Sequence, residues 1–532
     1  MAVTGCGLTP GPQATDVRAS PVAVVSEPVL TDAAERASAS APSETSAVDP
    51  APSTVVAPTV GPGDPRSVPP AAPDGASASA VPLVPVTGFW SAERSISRAA
   101  VAAAVAGRGG HARPVYVVAG YLDGLASALG ISPSKNVREL SATAIRAAIR
   151  ARPAALAFLR AEDVMPDVRA LRVDDAALFG VDRVVDVASW PLLVTPPAAG
   201  SPNAFDPSTV WTLATGGDVM LDREVYRQAV LRGRGAGYPW DGGTARVTAR
   251  VCCGAPGQRL ARGRRTPGTT SVRRLLSRAD LAIVNLEGPA PDRFSYHPHG
   301  LTFSMDPRLL RGLSDAGIDA VSLANNHMSN AGGRGVVETV RNVERVGLRH
   351  AGAGPNSTVA RRPAWLDAAH MRVAILGYND VARERNATAT RAGAASLDLA
   401  SARADIRAAR RAGADLVIVV PHWGVEYTDT ITDRQRQIGR RLLAAGADVV
   451  LGSHSHWAGP LELVGDRLVV YSMGDFVFDL QHEERTQEAV IVELTFVGRR
   501  LAQVELHPTL ILERAQPNLL EAGGGGTRLL RA

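Results

Sequence analysis

The sequence predicts an α/β protein, because short apolar runs typical of strands alternate with segments of helical periodicity. In the clearest example, the β-branched runs 416–420 and 448–451 flank a helical pattern at 433–445. Each run leads into a turn that carries histidine, at His422 and at His454. Such alternation winds a sheet, and the strand ends are where α/β proteins place their chemistry.

Length and charge limit the possible classes of protein. A chain of 532 residues exceeds one ordinary core, so we expect two domains plus disordered sequence. The net charge is only +5, Lys135 is the only lysine, and the arginines are spread without a dense block. We therefore predict no nucleic-acid partner. No uninterrupted apolar run approaches the roughly 18 residues that a transmembrane helix needs.

Residues 1–85 are predicted to be a disordered tether, because Ala, Pro, Ser, Thr and Val dominate and no aromatic residue precedes Phe89. The residues before Cys6 resemble the end of a bacterial lipoprotein signal, but the positive and apolar regions that should come first are missing. Either the true start lies upstream or the resemblance is a coincidence. In the first case, a lipid on Cys6 would anchor the chain to a membrane.

Residues 86–196 are predicted to form a small α/β accessory domain. In order, the pattern indicates a helix at 95–106, a strand at 114–118, an amphipathic helix at 137–151 and a strand at 154–160. This segment has no clustered histidines or cysteines. We therefore expect it to have a structural or ligand-holding role.

A second domain at 205–515 repeats the alternation. Its predicted strands lie at 210–214, 281–286, 320–324, 372–378, 416–420 and 448–451, its helices at 306–316, 335–346, 397–412 and 433–445, and its hairpin strands at 461–464, 468–472, 489–496 and 501–507. The Gly-, Arg- and Thr-rich segment 233–270 is predicted to be a surface insertion, because it lacks core periodicity. The tail, residues 516–532, is predicted to be disordered.

Side chains able to bind metals follow the strands of this second domain. They are Asp218, Glu287, Asn326, His327, His422, His454 and His456. We expect them to meet, because they follow successive strand ends of one sheet, and because His454 and His456 would point the same way on an extended chain. Oxygen and nitrogen donors without cysteine suit Mn²⁺, Fe or Zn²⁺. Two such cations roughly 3.5–4 Å apart can polarise an ester, phosphoryl or amide oxygen.

Each of these residues also has a structural interpretation. Asp218 could form a turn, Asn326 could cap a helix, and His422 could be a packed core histidine. The combination at consecutive strand ends is what favours a metal site over these separate explanations.

Six short motifs stand in order between residues 209 and 512. They are Gly217-Asp218-Val219-Met220, Asn285-Leu286-Glu287, Leu323-Ala324-Asn325-Asn326-His327, His422-Trp423-Gly424-Val425-Glu426-Tyr427, Gly452-Ser453-His454-Ser455-His456 and Tyr471-Ser472-Met473-Gly474-Asp475-Phe476. Together they resemble the CapA family, the poly-gamma-glutamate capsule synthesis proteins, which are related to the calcineurin-like metallophosphoesterases. The resemblance implies a four-layer αββα sandwich with two metals between the loop ends of its sheets.

The resemblance also implies a role for each site residue. The implied ligands are Asp218 and His456 for one divalent ion, Asn326, His422 and His454 for the other, and Glu287 as the bridge between them. A bridging hydroxide would be the nucleophile. His327 would donate a proton or stabilise charge on the leaving group. Glu426, close after His422, would orient that histidine or face the substrate.

Three positions differ from the family pattern that the resemblance implies. Met220 stands where ordinary metallophosphoesterases have a histidine, as is usual in CapA proteins, so that metal would be held more loosely. Asn330 stands where an aspartate is common. Asp475 replaces an asparagine and adds an anion near the site.

Two functions are compatible with these residues. The first is a metal-dependent hydrolase that acts on a poly-gamma-glutamate-like envelope polymer or its precursor. The second is a non-catalytic envelope component that helps to export or anchor the polymer and keeps its metals for structure. Both hypotheses place the protein outside the cytoplasm, at the cell envelope.

Overall fold

Two large β-sheets packed face to face form the centre of the fold. The computed structural model describes residues 80–108, 113–197, 205–252, 258–521 and 526. The predicted tether up to residue 79, including Cys6, lies outside the described residues. We refer to residues 80–197 as the N-terminal unit and to residues 205–521 as the sandwich.

The N-terminal unit is a small mixed sheet with helices. Its elements are β1 (Val81–Gly88), β2 (Ser95–Ile96), α1 (Arg98–Val105), β3 (Val115–Val118), α2 (Leu122–Leu129), β4 (Val137–Leu140), α3 (Ala142–Ala151), β5 (Leu156–Arg160), β6 (Val168–Ala170), β7 (Arg172–Val173) and β8 (Leu193–Val194). The main sheet has the strand order β4-β3-β5-β1-β6, and β8 pairs with β1. Strand β3 is parallel to β4 and β5, whereas β1 is antiparallel to β5.

Two predictions for this unit were wrong in their boundaries. The tether was predicted to reach residue 85, but residues 81–88 form the fully buried strand β1, which pairs with three other strands. Prolines at 82 and 85 hid this strand, since proline lowers local strand propensity. The helix predicted at 137–151 is a strand followed by a helix. Ser141 separates them, because its side chain accepts the Ala144 N–H and caps α3.

The sandwich contains the remaining elements. Its strands are β9 (Val210–Val219), β10 (Thr244–Cys252), β11 (Arg259–Thr266), β12 (Leu281–Leu286), β13 (Ala320–Ser322), β14 (Arg349–Ala351), β15 (Ala353–Gly354), β16 (Ala364–Ala368), β17 (Met371–Asn379), β18 (Gly393–Ala394), β19 (Leu416–His422), β20 (Val449–Leu451), β21 (Leu461–Val464), β22 (Arg467–Val470), β23 (Asp475–Val477), β24 (Glu488–Val497), β25 (Arg500–Leu512) and β26 (Gln516–Leu520). Its α-helices are α4 (Arg223–Tyr226), α5 (Ser271–Arg278), α6 (Leu310–Asp315), α7 (Gly332–Arg345), α8 (Ser357–Ala360), α9 (Leu399–Arg411), α10 (Asp433–Ala444) and α11 (Glu484–Gln487).

The two large sheets and their helices form four layers. One sheet has the order β11-β10-β26-β25-β24-β9-β12-β13-β14, with β23 also paired to β9, and the other has the order β16-β17-β19-β20-β22-β21. Apolar residues of both sheets, among them Trp211 and Ile418, share the core between them. On the outer faces, α5, α6 and α7 cover the first sheet, and α9 and α10 cover the second. The predicted α/β class and the αββα layering are therefore confirmed.

Two predictions for the edge of the larger sheet were wrong. Most of segment 233–270, predicted as a surface insertion, is the hairpin β10–β11, which is largely exposed and extends the sheet. The tail, predicted to be disordered from residue 516, begins with β26, which is mostly buried between β25 and β10. Neither segment has strong local strand propensity, so their pairing partners rather than their own residues determine the strands.

A polar network joins the N-terminal unit to β24 and β25. Glu493 accepts the Val181 N–H at 2.7 Å and lies 2.7 Å from His507 Nε2, and Glu505 pairs with Arg94. The carboxylate and imidazole atoms of Glu493, Glu505 and His507 lie within 4.8 Å of one another. Because protein groups already partner all three, we interpret this cluster as an interface contact rather than a metal site. Among the described residues, no helix is both long and apolar enough to cross a membrane.

Candidate metal centre

Buried oxygen and nitrogen donors converge at the carboxyl ends of strands from both large sheets. From the first sheet, Asp218 ends β9 and Glu287 follows β12, with Asn326 in the loop after β13; from the second, His422 ends β19, and His454 and His456 follow β20. The expectation that one sheet would supply all of them was wrong. The donors meet because the strand ends of two stacked sheets face the same gap.

Two glycines allow the close strand packing behind Asp218. Strand β23 lies against the end of β9, with Asp475 opposite Asp218. A Cβ on Gly217 would overlap the carbonyl oxygen of Gly474, and one on Gly216 would overlap the ring of Phe476. Only glycine at these positions lets Asp218 and Asp475 stand side by side.

The first group of donors consists of Asp218, Glu287 and His456. One ligand atom from each lies within 4.8 Å of the others, and all three side chains are buried. Asp218 accepts hydrogen bonds from Asn285 Nδ2 at 2.7 Å and from the backbone N–H of His454 at 3.2 Å. Glu287 is different, because neither of its carboxylate oxygens has a hydrogen-bond partner among the described residues.

The electrostatics of this group are unfavourable unless a cation is bound. Burial raises the pKa of Glu287 well above its usual range, and the neighbouring Asp218 carboxylate raises it further. Burial also raises the pKa of Asp218, against the opposing effect of His456. Two neighbouring buried carboxylates, one of them without a hydrogen bond among the described residues, are costly, and a cation between them would offset this cost together with His456.

The second group of donors consists of Asn326, His422 and His454. His422 Nε2 lies 2.8 Å from Asn326 Oδ1 and 3.8 Å from Glu287 Oε1, and the rings of His422 and His454 are 4.7 Å apart. Burial lowers the pKa of His422 well below its usual range and that of His454 to about 3, so both imidazoles are neutral at pH 7 and can act as ligands. His454 Nδ1 is buried and has no hydrogen-bond partner among the described residues.

His454 and His456 reach the site through an unusual backbone. The sequence analysis placed them on extended chain, which was wrong, because their φ angles are +99° and +59°. Residues other than glycine rarely adopt this left-handed region, and such strain concentrates at functional sites. The rings are consequently 6.2 Å apart, and His454 turns towards His422 while His456 turns towards Asp475.

Three groups outside the predicted ligand set hold the ligands in place. Asn285 donates to Asp218, and His422 Nδ1 lies 2.9 Å from Ser453 Oγ and 3.3 Å from Asn285 Nδ2, so both groups hold the His422 ring in place. Asp475 Oδ1 lies 2.7 Å from His456 Nδ1, and its other oxygen is buried without a partner in the described structure. Asn285 and Asp475 stand inside the quoted motifs, but their roles depend on cross-strand neighbours that the sequence does not display.

We predict that Asp475→Asn weakens metal binding. Burial lowers the pKa of His456, but the carboxylates of Asp475, Glu287 and Asp218 outweigh it and raise that pKa to about 10. Both ring nitrogens of this imidazolium carry hydrogen; Asp475 accepts the one on Nδ1, and a metal ion would displace the one on Nε2. Calorimetric titration of chelated protein with Mn²⁺ should show an affinity about 10- to 100-fold lower in the variant. Asp466→Asn, in the exposed turn between β21 and β22, is the control. Equal affinities in the two variants would contradict this role.

His327 lies beside the ligand cluster. Its Nε2 is 3.8 Å from Glu287 Oε1, and its ring stacks on Phe303 with centroids 4.0 Å apart. Its Nδ1 lies 3.0 Å from Asn330 Oδ1, which also accepts the Phe303 N–H; because a carbonyl oxygen only accepts, Nδ1 carries the hydrogen. Asn330 thus makes the contact that the more common aspartate could make. Burial lowers the pKa of His327 to about 4.

The structure does not bring Glu426 into the cluster. Its side chain is exposed on the loop after β19 and makes no hydrogen bond with any described residue. The adjacent Tyr427 has a φ of +56°, and its ring stacks over His456 at 5.6 Å. A role for Glu426 in orienting His422 finds no contact in this geometry, whereas Tyr427 covers one side of the site.

The donor set fits divalent metal ions. It offers two carboxylates, one amide oxygen and three imidazoles, and both Glu287 oxygens and His454 Nδ1 are buried without a hydrogen bond to any described residue. Carboxylate, amide and imidazole donors without thiolate are typical of Mn²⁺, Fe and Zn²⁺ sites. Asp218, Glu287 and His456 would hold one ion, and Asn326, His422, His454 and Glu287 the other.

Fold and site together define an αββα sandwich with a buried carboxylate–histidine cluster at its strand ends. The profile of the bacterial capsule synthesis protein family PGA_cap matches residues 212–480. The chain belongs to this family, which confirms the resemblance of its motifs to CapA.

Curated relatives agree with this assignment. The chain is 29% identical over 247 residues to the capsule biosynthesis protein CapA of Bacillus anthracis, which covers 45% of this chain and 60% of that protein. It is 30% identical over 329 residues to a probable polyglutamine synthesis accessory protein of Mycobacterium tuberculosis, which covers 56% of this chain and 81% of the relative. The chain thus spans only part of the Bacillus protein.

Solved structures with a similar fold include the calcineurin-like phosphoesterase YfkN from Bacillus subtilis. The similarity covers 60% of this chain and 98% of that one, at 12% identity and a TM-score of 0.30. So low a score carries no functional argument. The layers described above rest on the sheets of this chain itself.

Proposed function

We propose that this protein is a metal-dependent hydrolase that acts on a polyglutamate-type envelope polymer or its precursor. The observation that carries the proposal is Glu287, a fully buried carboxylate that no described residue hydrogen-bonds and that stands between two groups of metal donors. The substrate class comes from the relatives, whose names link them to capsule and polyglutamine synthesis.

The residues of the site each have a definite part in the proposed reaction. Two bound cations would polarise the scissile group and lower the pKa of a water molecule. Asp475, Asn285 and Ser453 fix the orientation of the ligands. His327, 3.8 Å from Glu287, stands where its Nε2 can accept the proton that the attacking water loses and pass it to the leaving group.

The same proposal places the protein at the cell envelope, outside the cytoplasm. A polymer of the envelope is processed there, and Cys6 is the candidate site for a lipid that would hold the protein at the membrane.

Metal removal and restoration test the proposal. Protein treated with a chelator should lose turnover of an aryl phosphodiester or a gamma-glutamyl peptide, and Mn²⁺ or Zn²⁺ should restore it with about two ions bound per chain. His454→Ala, which removes one ligand, should bind fewer ions and remain slow.

Two other results would point elsewhere. Binding of two ions without turnover of either substrate would favour the non-catalytic envelope component. Failure to bind metal at all would overturn the metal centre itself. Circular dichroism of His454→Ala, compared with the unaltered protein, separates loss of a ligand from loss of the fold.

A further inference from the structure

A large cavity lies in the N-terminal unit, within the sheet region that carries no part of the metal centre. Its volume is about 1190 Å³. Helix α1, the first residues of β3 and β4, and the end of α3 line it. A single small anion would occupy only a fraction of this space.

The rim of the cavity carries positive charge that is not compensated by the protein. Arg108, Lys135, Arg138 and Arg152 line it, all four are exposed, and none has an ion pair or a side-chain hydrogen bond among the described residues. The one acidic residue of the lining, Glu93, is engaged with Arg113 at 2.7 Å.

The contrast with the rest of the unit makes this rim distinctive. Every other basic side chain that the structure describes in this unit has a carboxylate or carbonyl partner. Arg146 and Arg150 share Asp167, for example, and Arg160 pairs with Asp163. The unpartnered cations of this unit are therefore gathered around one cavity, which is the pattern of an anion-binding site rather than of scattered surface charge.

The wall behind the rim is largely apolar. Ala100, Ala103 and Ala104 of α1 face it, together with Val115 and Tyr116 of β3. A ligand that suits both parts has methylene groups to lie on the wall and several carboxylates to reach the rim. A chain of linked glutamates has this composition.

We propose that this cavity binds a segment of a polymeric carboxylate and so holds the polymer while the metal centre acts on it. The choice of polymer rests on the proposed function, whereas the binding of a carboxylate chain rests on the cavity alone. The N-terminal unit is then a polymer-holding module rather than a structural accessory.

Fluorescence anisotropy of the full chain with a labelled poly-gamma-glutamate oligomer tests this proposal. A chelator in the buffer prevents any hydrolysis. The variant Arg108→Gln/Lys135→Gln/Arg138→Gln/Arg152→Gln should bind the oligomer at least about tenfold more weakly, because each lost charged hydrogen bond removes a sizeable part of the affinity. The matched control also removes four positive charges, in Arg403→Gln/Arg407→Gln/Arg411→Gln on α9 and Arg441→Gln on α10, and it should bind like the unaltered chain because all four residues are exposed outside the cavity.

The outcomes separate the possible ligands. Equal weakening in both variants would reduce the binding to general charge attraction and overturn the proposal. Competition by inorganic phosphate or polyphosphate as strong as that by poly-gamma-glutamate would overturn the assignment to carboxylates. The rim variant should keep the metal-dependent turnover of an aryl phosphodiester, so that a failure of polymer binding and a failure of the metal centre are observed in different assays.

Discussion

Replacing Glu287 with glutamine is expected to lower the metal content from about two ions to at most one per chain and to slow turnover by roughly 1000-fold. Glutamine keeps the size of the side chain and one neutral oxygen. It removes the negative charge that lies between the two groups of metal donors. Oε1 of Glu287 lies 3.8 Å from the Nε2 atoms of both His422 and His327. Metal analysis of the purified variant and turnover of an aryl phosphodiester measure the two effects.

In chelated protein, the same substitution should raise the free energy of unfolding at pH values above the ordinary range of a glutamate. The folded-state pKa of Glu287 is raised, so between its unfolded and folded pKa the folded state binds more protons than the unfolded state. Stability of the chelated protein should therefore fall as the pH rises above the ordinary range of a glutamate, and Glu287→Gln should remove that fall. Thermal melting at pH 5 and pH 8 tests the sign. If the variant were no more stable than the unaltered chain at pH 8, other groups would compensate the negative charge of Glu287 in the folded protein.

The sequence was sufficient for the parts of the fold that local pattern determines. The strands that end at His422 and before His454 are buried on both faces, so they form continuous apolar runs in the sequence. Helical segments begin where the pattern predicted them, and in the structure Asp306 and Thr432 cap these segments. The ligand residues could be found because strand ends are visible in such a pattern.

Other features depend on contacts between distant residues and were missed. Strand β26 is defined by pairing with β25 and β10, and the role of Asp475 is defined by its place opposite Asp218. The sequence also did not reveal that the ligands come from two sheets, because no single segment shows the strand order across a sandwich. Glu426 stands near His422 in the sequence, yet its exposed side chain has no hydrogen bond to that histidine or to any other described residue.

Replacing His327 with alanine is expected to discriminate between substrates by their leaving groups. A proton donor matters when the departing oxygen or nitrogen is strongly basic, so turnover of an alkyl phosphodiester or a gamma-glutamyl amide should fall by about 100- to 10,000-fold. A p-nitrophenyl ester, whose leaving group needs no proton, should lose less than about tenfold. Metal content should stay unchanged, because His327 stands beside the ligands and is held by Asn330 and Phe303.

His350→Ala provides the matched control for this experiment. His350 lies on β14, is also largely buried, and faces Glu344 rather than the metal donors. It should leave both substrate classes unaffected. If His327→Ala slowed all substrates equally, the imidazole would stabilise charge common to every substrate instead of protonating the leaving group. If it slowed none, the proton would come from another group, and Tyr427, which stacks on His456 across the site, would be the next residue to replace.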